Sequence, residues 1–100
     1  MLLEALVACA GVTLSAVATA IGVELKDATV IAEGDLDFRG TLAVSKEAPV
    51  GFKSLRLRFE LDTDASSDQI ESLISLTERY CVVYQSLVNT PEIIVDKSVI

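Results

Sequence analysis

A chain of 100 residues holds one domain, and 51% apolar with 23% charged residues is material for a core, not the composition of a disordered segment. A formal net charge of −7, with the cations scattered from Lys26 to Lys97, argues against binding nucleic-acid phosphates. The absence of histidine excludes Ser-His-Asp and Cys-His hydrolysis within one chain, and 2 cysteines are too few for a four-thiolate zinc site, so neither metal nor cofactor is expected.

Met1 to Ile21 is apolar on all sides, with Glu4 its only charge, which predicts a helix buried in a core or an interface. Small residues such as Ala8, Gly11 and Ala16 permit close approach of another helix, and Gly22 supplies a stop. A secretory leader opens on a cation, whereas here the first cation is Lys26 and Glu4 occupies the early position. The stretch therefore reads as a helix of a soluble, cytoplasmic chain that does not enter a membrane. In that compartment two cysteines are reduced or redox-cycling rather than a permanent staple. A monomer this short has trouble covering such a helix all round, so a homodimer is expected.

Val23 to Glu33 predicts a strand, with Thr29, Val30 and Ile31 as its strongest formers. Gly34 and Gly40 punctuate the next stretch, and Leu36 to Val44 reads as a second strand or an irregular ribbon. Ala48-Pro49-Val50-Gly51 is a turn. Lys53 to Leu61 alternates cleanly, with Leu55, Leu57, Phe59 and Leu61 on one face and Ser54, Arg56, Arg58 and Glu60 on the other. Ser66 with Gln69 fits a capping box, and Ile70, Leu73, Ile74 and Thr77 recur at helical spacing, so Ser67 to Tyr80 is an amphipathic helix. Cys81 to Leu87 reads as a further short helical piece, broken by Asn89, Thr90 and Pro91, and Glu92 to Ile100 as a last strand. The order helix, strands, helix, strand is an α+β pattern.

Cys9 and Cys81 are the only pair able to carry redox chemistry. Taken as residues alone, both read first as inert buried hydrophobes. Cys9 lies mid-helix in apolar surroundings that raise a thiol pKa, and no cation shares its helix.

Leu2 to Gly11, around Cys9, resembles the central-helix motif of the OsmC/Ohr family of thiol-dependent peroxidases. Gly34 to Gly40 is similar to that family's strand-end motif, Pro49 to Phe52 and Asp64 to Ser66 come next in its order, and Arg79 to Leu87 resembles its second-cysteine motif, with Val82 where many members have proline. The resemblance implies an OsmC-like α+β fold in which long central helices are wrapped by sheets in an intertwined dimer. It implies that Cys9 is the peroxidatic and Cys81 the resolving cysteine, that an organic hydroperoxide is the substrate and that a dithiol resets the pair. Family members carry strands ahead of the central helix, and those strands supply an activating arginine and its glutamate partner. The chain starts inside the helix motif, so it reads as one OsmC-like domain over residues 1–100 without those strands. Arg39 and Arg79 are then the candidates to activate Cys9, and without such a cation the activity is expected to be weak. The alternative is a non-catalytic, dimeric or small-ligand-binding relic of the same fold.

Overall fold

The computed structural model describes residues 1–37, 39, 42, 43, 47 and 50–99. Five elements succeed one another in chain order: helix α1 (Leu2–Ile21), strands β1 (Asp27–Leu36) and β2 (Phe52–Asp62), and helices α2 (Ser67–Tyr80) and α3 (Val82–Val88). The α+β class expected from the sequence is what the chain adopts. β1 and β2 pair antiparallel into a two-stranded sheet, and α1 packs against β1, α2 and α3.

Local chemistry sets the ends of these elements. α1 stops at Gly22, whose φ of 74° and ψ of 26° lie in the left-handed region that glycine reaches without a Cβ penalty. The N–H of Val23 then donates to the Ala18 carbonyl at 2.9 Å, closing the last turn. α2 begins at the expected capping box: the Gln69 N–H donates to Ser66 Oγ at 3.2 Å, and the Ser66 N–H donates to Gln69 Oε1 at 3.0 Å.

The sheet is short of the expectation at one end and longer at the other. β1 starts at Asp27 rather than Val23, because Val23 and Leu25 are used to seal the core beneath the end of α1. It runs on to Leu36, with Val30 opposite Phe59 and Gly34 opposite Leu55. Gly34 permits close approach, since a Cβ there would lie 2.6 Å from the Phe52 ring and 2.8 Å from Leu55, and those side chains would have to shift. In β2 the half-buried positions are Leu55, Leu57, Phe59 and Leu61, and the intervening residues are exposed, as the alternation predicts. Half of the expected ribbon beyond Leu36, and half of the turn at Ala48-Pro49-Val50-Gly51, lies outside the described residues.

One expected element does not form. Glu92 to Ile100 reads as a last strand, yet residues 92–99 make no ladder, and Ile100 lies outside the described residues. Ile93, Ile94, Val95 and Val99 are 76%, 80%, 89% and 91% exposed. β-branched residues favour an extended backbone, but a strand also needs a neighbouring edge to bond, and residues 92–99 bond neither edge of the β1–β2 sheet.

The core sits between the C-terminal half of α1, the sheet and α2. Leu14, Val17, Ala18, Val23 and Leu73 form it, with Val30, Phe59, Leu61 and Ile74 packed around them. Burying each large aliphatic side chain contributes about 1.5–3 kcal/mol. α1 is long and apolar enough to cross a membrane by length and composition, while Leu6, Ala10, Leu14, Val17 and Ala18 are buried against the rest of the chain. Its opposite face, including Ala5, Ala8, Val12 and Ala16, is exposed.

Candidate active site

The fold brings together two cysteines that are far apart in the sequence. Cys9 stands on the margin of α1, half-buried, between exposed Ala8 and fully buried Ala10. Cys81 occupies the joint between α2 and α3 and serves both helices at once. As the C-cap of α2 it donates its N–H to the Thr77 carbonyl at 3.0 Å; as the N-cap of α3 it accepts from the Gln85 N–H at 2.9 Å. Its φ of −76° and ψ of 111° are extended, which is what breaks one helix from the next. Cys81 is only 1% exposed, and Thr77 one turn earlier, also 1% exposed, donates its hydroxyl to the Leu73 carbonyl at 2.7 Å.

Both cysteines are free thiols, and each alters the ionisation of the other. The Cys9 thiol is held below its ordinary value. The backbone N–H of Val83 is the main cause, partial burial opposes it, and the Cys81 thiol, the Val82 N–H and the Thr13 hydroxyl add to the lowering. The first N–H groups of a helix have no partner within it and carry partial positive charge, so they favour a thiolate placed against them. Cys81 moves the other way. Burial pushes its thiol up, and its neighbour Cys9 raises it further, against the lowering effect of the Tyr84 and Val83 N–H groups. The pair is thus divided into a thiol disposed to ionise and a buried thiol disposed to keep its proton.

The arginines proposed from the sequence take no part in this. Arg39 is held by Asp37 at 2.8 Å, and Arg79 lies over the ring of Tyr80, with its guanidinium carbon 5.5 Å from the centroid. Arg56 bonds Asp35 at 2.9 Å and Glu33 at 3.3 Å, and Arg58 pairs with Glu60 at 3.5 Å. No guanidinium is among the groups that shift Cys9. The groups that do, the N–H of Val82 and Val83 and the hydroxyl of Thr13, are not cations and so escape a reading of the sequence for charged side chains. The available signals were Thr13 one turn beyond Cys9 and the helix restart after Cys81.

An open cleft of about 550 Å³ lies between Leu6 near the start of α1 and the inner face of β2. Leu6, Phe52, Leu55, Leu57, Tyr84 and Leu87 give it apolar walls, with Lys53 and Glu78 as charged members, and neither cysteine lines it.

A family model described as OsmC-like protein matches residues 1–96. The chain belongs to the OsmC-like family. Its fold is similar to that in the crystal structure of an OsmC-like protein from Mycoplasma pneumoniae, with a TM-score of 0.78 and 19% sequence identity over 89% of this chain. The match covers 60% of that OsmC-like chain, so the present chain spans well under its full length. No curated protein matches.

Proposed function

We infer that the chain is a thiol-dependent peroxidase acting on organic hydroperoxides, working as a homodimer in a reducing, cytoplasmic setting. The observation that carries this is the asymmetric pair itself: a half-buried Cys9 whose thiol ionises more readily than an ordinary cysteine, beside a buried Cys81 whose thiol ionises less readily. Only the thiolate attacks. The Cys9 thiolate would take the terminal oxygen of ROOH, breaking the O–O bond, so that Cys9 becomes a sulfenic acid and the peroxide leaves as ROH after gaining a proton. Cys81 would then attack that sulfur, releasing water and forming a Cys9–Cys81 disulfide. A dithiol returns both sulfurs to thiols and becomes a disulfide itself. No metal or cofactor enters these steps.

Lowering of the Cys9 thiol by backbone dipoles gives a chain without an activating arginine some means of ionising that sulfur. Dipoles at a helix terminus are a weaker substitute for a guanidinium, so turnover is expected to be modest. Treatment with cumene hydroperoxide should lower the mass of the chain by two hydrogens, reversibly with a dithiol, and Cys9→Ser should abolish ROH formation. A chain whose mass is unchanged, or whose Cys9 is only over-oxidised, would defeat the reading.

The apolar cleft favours a second reading, a small-ligand-binding relic of the enzyme fold, because its walls are independent of both sulfurs. Binding of an apolar fluorescent probe that survives Cys9→Ser, in a chain without peroxide turnover, would select it.

A further inference from the structure

We propose that the reductant enters the cycle at the sulfur of Cys9, expelling Cys81 as the leaving thiol. This rests on reading Cys9 and Cys81 as a redox pair and adds where the second substrate, a small dithiol, must strike.

Access is the deciding factor. In a disulfide either sulfur is open to attack in principle, and the approaching thiolate needs a path to one of them. Cys81 has almost none: it is 1% exposed at the joint of α2 and α3, in the wall of a shallow depression that Tyr80, Val82 and Gln85 also line. Cys9 is half-buried at the margin of α1, where the packed face gives way to the exposed Ala5, Ala8 and Val12.

Leaving-group acidity pulls the opposite way, because a sulfur that ionises readily is the better leaving group and would favour attack at Cys81. Access prevails, since a thiolate that cannot approach a buried sulfur cannot exploit a good leaving group behind it. In the balanced exchange, the dithiol's thiolate bonds to Cys9 Sγ, the Cys9–Cys81 bond breaks, and its electron pair leaves on Cys81 Sγ, which takes up a proton. The second thiol of the reductant then attacks its own sulfur in the mixed disulfide, releasing the Cys9 thiolate and the oxidised reductant.

The test uses the full chain carrying the disulfide, formed in one arm with cumene hydroperoxide and in another with diamide, which oxidises thiols without peroxide chemistry. A brief pulse of glutathione, a monothiol, is succeeded by acid quenching and blocking with a maleimide. Trypsin separates the two sites, Cys9 in Met1–Lys26 and Cys81 in Tyr80–Lys97. Glutathione should be found on Cys9 and maleimide on Cys81, in an excess of about tenfold or more if access governs the exchange. Repeating the pulse in urea should erase that excess. Glutathione on Cys81, an even distribution, or a preference unchanged by urea would overturn the proposal. A disulfide that forms with diamide but not with peroxide would sink the peroxidase reading while the glutathione position still judges this one. Failure to form it with either oxidant would overturn both.

Discussion

The two halves of α1 do different work. Its C-terminal half sends Leu14, Val17 and Ala18 into a sealed core with Val23 and Leu73. Its N-terminal half buries Leu6 and Ala10, carries Cys9 against Cys81, and opens at Leu6 on the cleft. One helix thus anchors the fold at one end and carries the Cys9 thiol at the other. The sealed core and the cysteine pair are separated along the helix rather than across it. Dense apolar packing would push a thiol toward its neutral form, so the site lies where packing loosens and backbone N–H groups come within reach.

That separation can be broken most directly by truncation. Leu14→Ala, in the sealed half, should cost about 2–5 kcal/mol by urea denaturation, through lost burial and a cavity that cannot collapse. Leu6→Ala should fall at or below the low end of that range, about 2 kcal/mol, because its site already borders open space. Equal losses would erase the distinction between the halves.

Gly34→Ala probes the sheet that supports both. The added methyl would meet the Phe52 ring at 2.6 Å, so ring or strand must move, at about 1–3 kcal/mol. Phe52 also lines the cleft, and binding of an apolar probe should weaken along with the melting temperature. A neutral substitution would mean the ring swings aside freely.

A third experiment sharpens the chemical side. With iodoacetamide near neutral pH, Cys9 should be modified first and Cys81 only at higher pH or on unfolding, as their opposed ionisation and burial require. Faster labelling of Cys81 would contradict the division of roles. Thr13→Val should slow labelling of Cys9 without altering stability much, since a hydroxyl that favours the thiolate is lost.

The smallest effect belongs to the exposed face of the sheet. The Asp35 carboxyl is lowered to about 2, chiefly by its hydrogen bonds from Arg56 and secondarily by the Ser54 hydroxyl. A group whose pKa is lower when folded adds stability above its unfolded value of about 4, and that contribution is lost as the pH falls from there toward 2. Arg56→Ala should flatten the acid side of the stability curve slightly, and salt should mimic the substitution. An effect independent of salt would place the carboxylate in a more protected setting than its exposure allows.

Much of the fold could be read from residues alone. The Ser66–Gln69 capping box placed the start of α2, Gly22 ended α1, and the alternation of Leu55, Leu57, Phe59 and Leu61 assigned the inner face of β2. These signals are local, and local geometry suffices to interpret them. Val23 misled because its strand propensity is real but its packing under α1 is tertiary. The segment after Pro91 misled for a related reason: propensity writes an extended backbone, whereas a ladder requires an edge elsewhere. At the candidate site, both cysteines were visible by type and resemblance. What lowers the Cys9 thiol was not, because a backbone N–H belongs to every residue and acquires its charge only when a helix begins there.

The joint at Cys81 has one more consequence. A bond from Cys81 to Cys9 would clamp the junction of α2 and α3 to the middle of α1 and close a ring containing most of the polypeptide. Cross-links over rings of this size restrict the unfolded chain by about 4 kcal/mol. Oxidation would then act as a mechanical lock, and the melting temperature would serve as a gauge of redox state. The oxidised chain should melt well above the reduced one, and Cys81→Ser, which cannot close the ring, should melt at the same temperature with or without oxidant.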